Sequence, residues 1–248
     1  MEGAALPGRL NWQAATVIDL IDETPRVRSI VLECPQWPGH RAGQHVDIRL
    51  TADDGYQAQR SYSIANAPEE AQLMLTVERL EDGEVSSYLF DELRRGDALE
   101  LRGPIGGYFV WTKEMGGPLL LVAGGSGIVP LRSILRHRAA LHSAVPVRLL
   151  YSARALDDVV YRDELQRIAD GEGVDVRYTL TRQQPPGWTG YDRRIDALML
   201  REVAWPIDAR PMTYICGPTS FVEAAASALV ALGHDGPRIK TERFGPTG

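Results

Sequence analysis

Cysteine is nearly absent: Cys34 and Cys216 are the only two in 248 residues. A ferredoxin-type iron–sulfur cluster takes four cysteine ligands, so this chain cannot hold one alone. A disulfide between the two is disfavoured in a reducing compartment. Histidine is also scarce. The five (His40, His45, His137, His142 and His234) show no metal-ligand spacing, so no metal site is expected. No apolar run approaches the ~20 residues of a membrane span. The first nine residues lack a basic-then-apolar leader pattern, so a cytoplasmic location is expected. Positive charge is short as well. A net charge of -6 argues against nucleic-acid binding, which wants a basic surface. Internal repeats and low-complexity stretches are missing. What remains is 44% hydrophobic and 24% charged, the composition of a soluble globular protein. Its length suits one large domain or two ordinary ones.

Up to about residue 110 the pattern is strand after strand. Residues 14–21, 27–33, 45–50, 61–65, 73–80 and 98–102 are short, rich in β-branched residues and separated by turn chemistry such as Pro38-Gly39. Thr76-Val77-Glu78-Arg79-Leu80 alternates polar and apolar, as a half-buried strand should. One helix is expected at 85–93, with Val85, Leu89 and Leu93 on one face. Six strands and one short helix predict an antiparallel six-stranded Greek-key barrel. From about residue 118 the rhythm changes. Apolar runs at 119–123, 147–151, 174–180, 213–216 and 239–244 alternate with helical stretches at 131–141, 162–169, 195–203 and 221–232. That alternation predicts a parallel-sheet α/β domain with helices on both faces. The linker falls at 112–118, giving expected domains of 1–112 and 113–248.

Four segments carry chemistry. In Arg60-Ser61-Tyr62-Ser63 a strand places Arg60 and Tyr62 on one face, Ser61 and Ser63 on the other. A flavin needs a flat partner, a cation for phosphate and a hydrogen bond near N5. Tyr62 can stack, Arg60 can pair with phosphate, and Ser63 can reach N5. Read alone, a mixed surface strand explains the same residues. Gly83 and Glu84-Val85-Ser86-Ser87 open the barrel's helix, where free N–H groups attract phosphate; an ordinary serine N-cap is the alternative. Gly124-Gly125-Ser126-Gly127-Ile128-Val129-Pro130 lies between an apolar strand and a helix, where a nucleotide loop belongs. Cys216-Gly217-Pro218 follows another strand, and Glu242 and Phe244 on the last strand can face the same crevice.

In this order the motifs resemble the ferredoxin–NADP reductase superfamily, over residues 10–244. Arg60-x-Tyr62-Ser63 matches its flavin-ring motif, and residues 103–109 (Gly-Pro-Ile-Gly-Gly-Tyr-Phe) resemble the loop closing its barrel. Gly125-x-Gly127-x-x-Pro130 resembles its nucleotide loop, and Cys216-Gly217-Pro218 its nicotinamide-side motif. The resemblance implies an FAD-binding barrel and an NAD(P)-binding domain. It implies Tyr62 stacking on the isoalloxazine, Ser63 near N5, and Arg60 on the pyrophosphate with Val85, Ser86 and Ser87. Val77 on the preceding strand is counted with the same FAD site, and Ser61 with its motif. Gly125, Ser126, Gly127, Gly217 and Pro218 are assigned to the nucleotide. Cys216 lines the nicotinamide site, and Glu242 and Phe244 match the acidic–aromatic pair near the C-terminus.

Nucleotide preference is read from strand ends. Tyr151-Ser152-Ala153-Arg154 and Leu180-Thr181-Arg182 place hydroxyls and guanidiniums where a 2′-phosphate would sit, which favours NADPH over NADH. The alternative reading makes both arginines solvated helix-start residues. The expected protein is an FAD-dependent NAD(P)H oxidoreductase passing electrons to a separate acceptor such as a ferredoxin, with Ser63, Cys216 and Glu242 at the reacting rings. It is expected to be a monomer when undocked, with FMN left open as the flavin. A free-flavin or quinone reductase, or a non-catalytic relay subunit, are the alternatives.

Overall fold

The computed structural model describes residues 10–171 and 173–245; the leader reading of the first nine residues lies outside this range. Six strands form the first sheet: β1 (Gln13–Thr24), β2 (Val27–Glu33), β3 (His45–Thr51), β4 (Gln57–Ser63), β5 (Leu73–Glu78) and β6 (Ala98–Ile105). Their order is β4-β3-β6-β1-β2-β5, with every hydrogen-bonded pair antiparallel. A bridge between Ile64 and Leu75, with Ala65 N donating to Met74 O at 2.8 Å, joins the edges and closes the barrel. Ile30, Leu32, Val46, Ile48, Leu75, Val77 and Leu101 fill the interior. The helix α1 (Glu84–Ser87) plugs one end, widening into a single π-type turn over Tyr88–Glu92. Val85, Leu89 and Leu93 recur every four residues and join the barrel core.

β4 starts four residues before the expected boundary. Gln57-Ala58-Gln59-Arg60 has little strand propensity, but ladder pairing of Gln57 to Thr51 and Arg60 to Ile48 draws it in.

The second sheet is wholly parallel, in the order β11-β10-β7-β8-β9. Its strands are β7 (Leu119–Gly124), β8 (Val147–Ala153), β9 (Val174–Leu180), β10 (Met212–Pro218) and β11 (Ile239–Phe244). The helices are α2 (Ile128–Ala140), α3 (Arg162–Ala169), α4 (Ala197–Val203) and α5 (Thr219–Ala231). Strand alternation sorts the helices. Leu119, Leu121, Leu149 and Tyr214 face α2 and α3, while Leu120, Val122, Leu150 and Ile215 face α4 and α5. This is the expected architecture of a barrel followed by an α/β layer. No described helix is long and apolar enough to cross a membrane.

The two halves share one core. Val27, Ala42 and Ala65 of the barrel pack into the same apolar cluster as Ile128, Leu131 and Tyr161. Polar contacts cross the same seam. Arg132 donates to Ala65 O at 3.0 Å and Ser133 to Asn66 O at 2.7 Å. Tyr161 donates to Thr76, and Tyr214 to Val110 O at 2.9 Å. Buried bonds of this kind fix geometry, because breaking one strands a desolvated partner.

Candidate functional site

The barrel contributes the end of β4. Arg60 is exposed; its guanidinium reaches only the Gln59 carbonyl at 2.7 Å and meets no carboxylate among the described residues. Tyr62 is half-buried on the edge of the barrel core, and burial pushes its phenol up. It presents a ring, not an ion. Ser61 is committed elsewhere: it donates to Asp47 at 2.7 Å, which also accepts from Arg102 at 2.7 Å. Ser63 stands directly across from His45 on β3. Val77 and Val85 are buried in the barrel interior. The Ser86 hydroxyl is hydrogen-bonded to the Leu80 N–H and the Gly83 carbonyl, and Ser87 donates to Leu80 O. These four therefore offer a ligand their backbone, not their side chains.

The α/β half contributes strand ends. Gly125 has φ +56°, a left-handed conformation suited to glycine, and it turns the chain off β7. A Cβ on Gly127 would run into the Cys216 carbonyl, so the glycine turn and β10 touch backbone to backbone. Gly217 is buried beside that contact and Pro218 is exposed at the strand end. Ser126 donates across the seam to Glu78 at 2.7 Å. Ser152 is half-buried at the end of β8. Beyond it, Arg182 N donates to Arg154 O at 2.9 Å, so the two arginines are tied through their backbones. Both side chains are exposed and form no ion pair among the described residues.

At the inner end of the seam, β10 and β11 place Cys216 beside Glu242 in register. Glu242 Oε1 lies 3.7 Å from His45 Nδ1, while its buried Oε2 has no hydrogen-bond partner among the described residues. Burial pushes the Glu242 carboxyl up to about 7. Burial also lowers His45 and raises the Cys216 thiol well above its ordinary range, with the Glu242 charge adding to the latter. The cysteine here is a thiol, not a thiolate nucleophile. Phe244, opposite Pro218, packs half-buried against the larger core cluster.

His45 thus meets Glu242 across the seam, with Ser63 beside His45 on the barrel side and Cys216 beside Glu242 on the other. Sequence reading missed His45. Its signal lay in pairing, because it stands opposite Ser63, and pairing is invisible before the register is known. An orphaned carboxylate oxygen, an unpaired guanidinium and an exposed edge of an aromatic ring are what a bound flavin and nicotinamide would complete.

Comparison with known proteins agrees. The oxidoreductase FAD-binding domain family matches residues 19–110, and the oxidoreductase NAD-binding domain family matches 121–227. The ferredoxin–NADP reductase B of Sorangium cellulosum is 35% identical over 212 residues, 82% of this chain and 84% of that protein. The glycine betaine monooxygenase reductase subunit of Pseudomonas aeruginosa is 30% identical over 235 residues, 93% of this chain. The chain spans 63% of that relative's length. Among solved structures, the FAD/NAD-binding domain of a Vibrio cholerae nitric oxide dioxygenase superposes with a TM-score of 0.84 at 26% identity, covering 94% of this chain and 99% of that one.

Proposed function

We propose that this chain, which belongs to the ferredoxin–NADP reductase superfamily of FAD- and NAD(P)-binding oxidoreductases, carries electrons from NADPH through FAD to a separate redox protein such as a ferredoxin. FAD and NAD(P)H are its cofactors, and it is an FAD-dependent NAD(P)H oxidoreductase. The FAD half is residues 1–112 and the nucleotide half 113–248; the two matched stretches, 19–110 and 121–227, support that division. Flavin, when bound, supplies the site that accepts hydride and releases electrons.

The protein's own residues hold the geometry. Tyr62 presents its ring to the flavin, and the unpaired Arg60 meets its pyrophosphate. Backbone groups at Val77, Val85, Ser86 and Ser87 take up remaining polar contacts. Gly125, Ser126, Gly127, Gly217 and Pro218 let the nucleotide approach the strand ends closely. Arg154 and Arg182, with Ser152, bind the 2′-phosphate of NADPH. Ser63 and Glu242 provide hydrogen bonds at the reacting edge, Cys216 packs there as a neutral thiol, and Phe244 lines the same crevice. Aligning two rings is enough to lower the barrier substantially, since proximity removes an entropic cost.

The observation that carries this reading is the meeting of His45 from the barrel with Glu242 from the α/β half, with Ser63 paired to His45 on one side and Cys216 paired to Glu242 on the other. The test is steady-state turnover of the FAD-loaded protein with NADPH, comparing a panel of ferredoxins with free flavin and quinone. Ferredoxin reduction exceeding small-acceptor reduction supports the reading. Turnover with small acceptors alone would assign it instead to free-flavin or quinone reduction.

A further inference from the structure

Glu78 ends β5 and lies on the barrel side of the seam. Its Oε2 accepts the Ser126 hydroxyl at 2.7 Å, reaching the glycine turn between β7 and α2. Among the described residues, Glu78 forms no ion pair with any cation. Of the arginines flanking it on this strand pair, Arg79 is engaged by Asp91 at 2.7 Å and Arg28 by Asp22 at 2.6 Å, while exposed Arg26 pairs with no carboxylate among the described residues. A half-buried carboxylate that forms no ion pair among the described residues therefore points at the loop assigned to the dinucleotide's phosphates.

We propose that Glu78 sets the affinity of the nucleotide loop by holding the Ser126 hydroxyl and opposing the incoming diphosphate, so that bound nucleotide and the Glu78–Ser126 bond compete. The proposal rests on the glycine turn being the nucleotide loop. Two effects act in the same direction. The Ser126 proton is taken, so the hydroxyl cannot donate to a phosphate oxygen until the bond to Glu78 breaks. The carboxylate also repels the diphosphate across a partly desolvated seam, where charges interact more strongly than in bulk water. A weakened grip speeds product release, which limits turnover in many enzymes. The diphosphate is common to NADP⁺ and NAD⁺. Glu78 therefore tunes both affinities alike, whereas Arg154 and Arg182 discriminate between them.

The test is calorimetric titration of the FAD-loaded wild type, Glu78→Gln and Glu78→Ala with NADP⁺ and, separately, NAD⁺. These oxidised probes bind without turnover. Glu78→Gln keeps an acceptor for Ser126 and removes only the charge; Glu78→Ala removes both. Each variant is expected to bind both nucleotides more tightly, on the order of tenfold at low salt. The gain should shrink between about 0.01 M and 1 M salt, as screening shortens. Equal or weaker binding by both variants, with the wild type binding normally, would overturn the role of Glu78. A wild type that binds neither nucleotide would instead overturn the loop assignment, and the role of Glu78 with it.

Discussion

At the inner end of the seam, half-buried Glu242 and His45 and buried Cys216 are pushed towards their uncharged forms. At the outer ends, Arg60, Arg154 and Arg182 stand exposed, charged and without acidic partners among the described residues. The contrast follows from what each end must hold. Neutral aromatic rings exchange hydride best where water and stray charge are kept out. Phosphates bind best to free guanidiniums that give up little on contact. One seam thus grades from dry and neutral to wet and cationic.

The largest expected effect is at the hinge between the two environments. Gly127→Ala pushes a methyl into the Cys216 carbonyl. It should cost about 3 kcal/mol of stability in chemical denaturation. A neutral result would mean that the β7 and β10 ends can part freely.

Glu242→Gln probes the dry end. A carboxyl raised from 4.5 to about 7 stays protonated in the folded chain where the unfolded chain has lost its proton. Its stabilising share is complete below pH 4.5, falls as pH rises to about 7, and is flat above. At roughly 1.4 kcal/mol per pH unit, the wild type should lose up to about 3 kcal/mol across that window. Glu242→Gln should not show that loss. His45 acts with the opposite sign: a lowered imidazole loses its share as pH falls below its ordinary 6.5. His45→Gln should flatten the acid side only. Identical pH profiles in all three proteins would remove the dry end from the account.

Arg154→Ala and Arg182→Ala probe the wet end. Each should weaken NADPH binding by about tenfold, roughly 1.4 kcal/mol, and leave NADH unchanged. Equal losses for both nucleotides would make the pair general phosphate ligands. The smallest effect is chemical. A thiol reagent at mildly alkaline pH should label the half-exposed Cys34 slowly and leave buried Cys216 untouched in the native protein.

The α/β half was more legible in the sequence than the barrel. Buried parallel strands read as unbroken apolar runs, so the sequence placed Gly125, Cys216 and Arg154 at strand ends, where the structure has them, and Glu242 and Phe244 on the last strand. The barrel's strands were found from β-branched content, but the N-terminal half of β4 was not, since its polar residues are strand only through pairing with β3. The same limit hid His45, which matters because of what it stands across from. Ser61 was placed at the flavin by its motif, yet its hydroxyl is engaged by Asp47 on the outer face. Val77, Val85 and Ser86 were assigned by position; the fold buries their side chains, so only backbone remains to contribute. Side-chain partners across a seam belong to tertiary structure, and no local pattern encodes them.

The most direct test of a graded seam between two bound rings is anaerobic titration of the FAD-loaded protein with NADPH in one cell and NADH in another, followed by its visible spectrum. A yellow protein bleached by stoichiometric NADPH is expected, with NADH needed at higher concentration. A protein that stays colourless after reconstitution with FAD, or a yellow one that neither nucleotide bleaches, would contradict it.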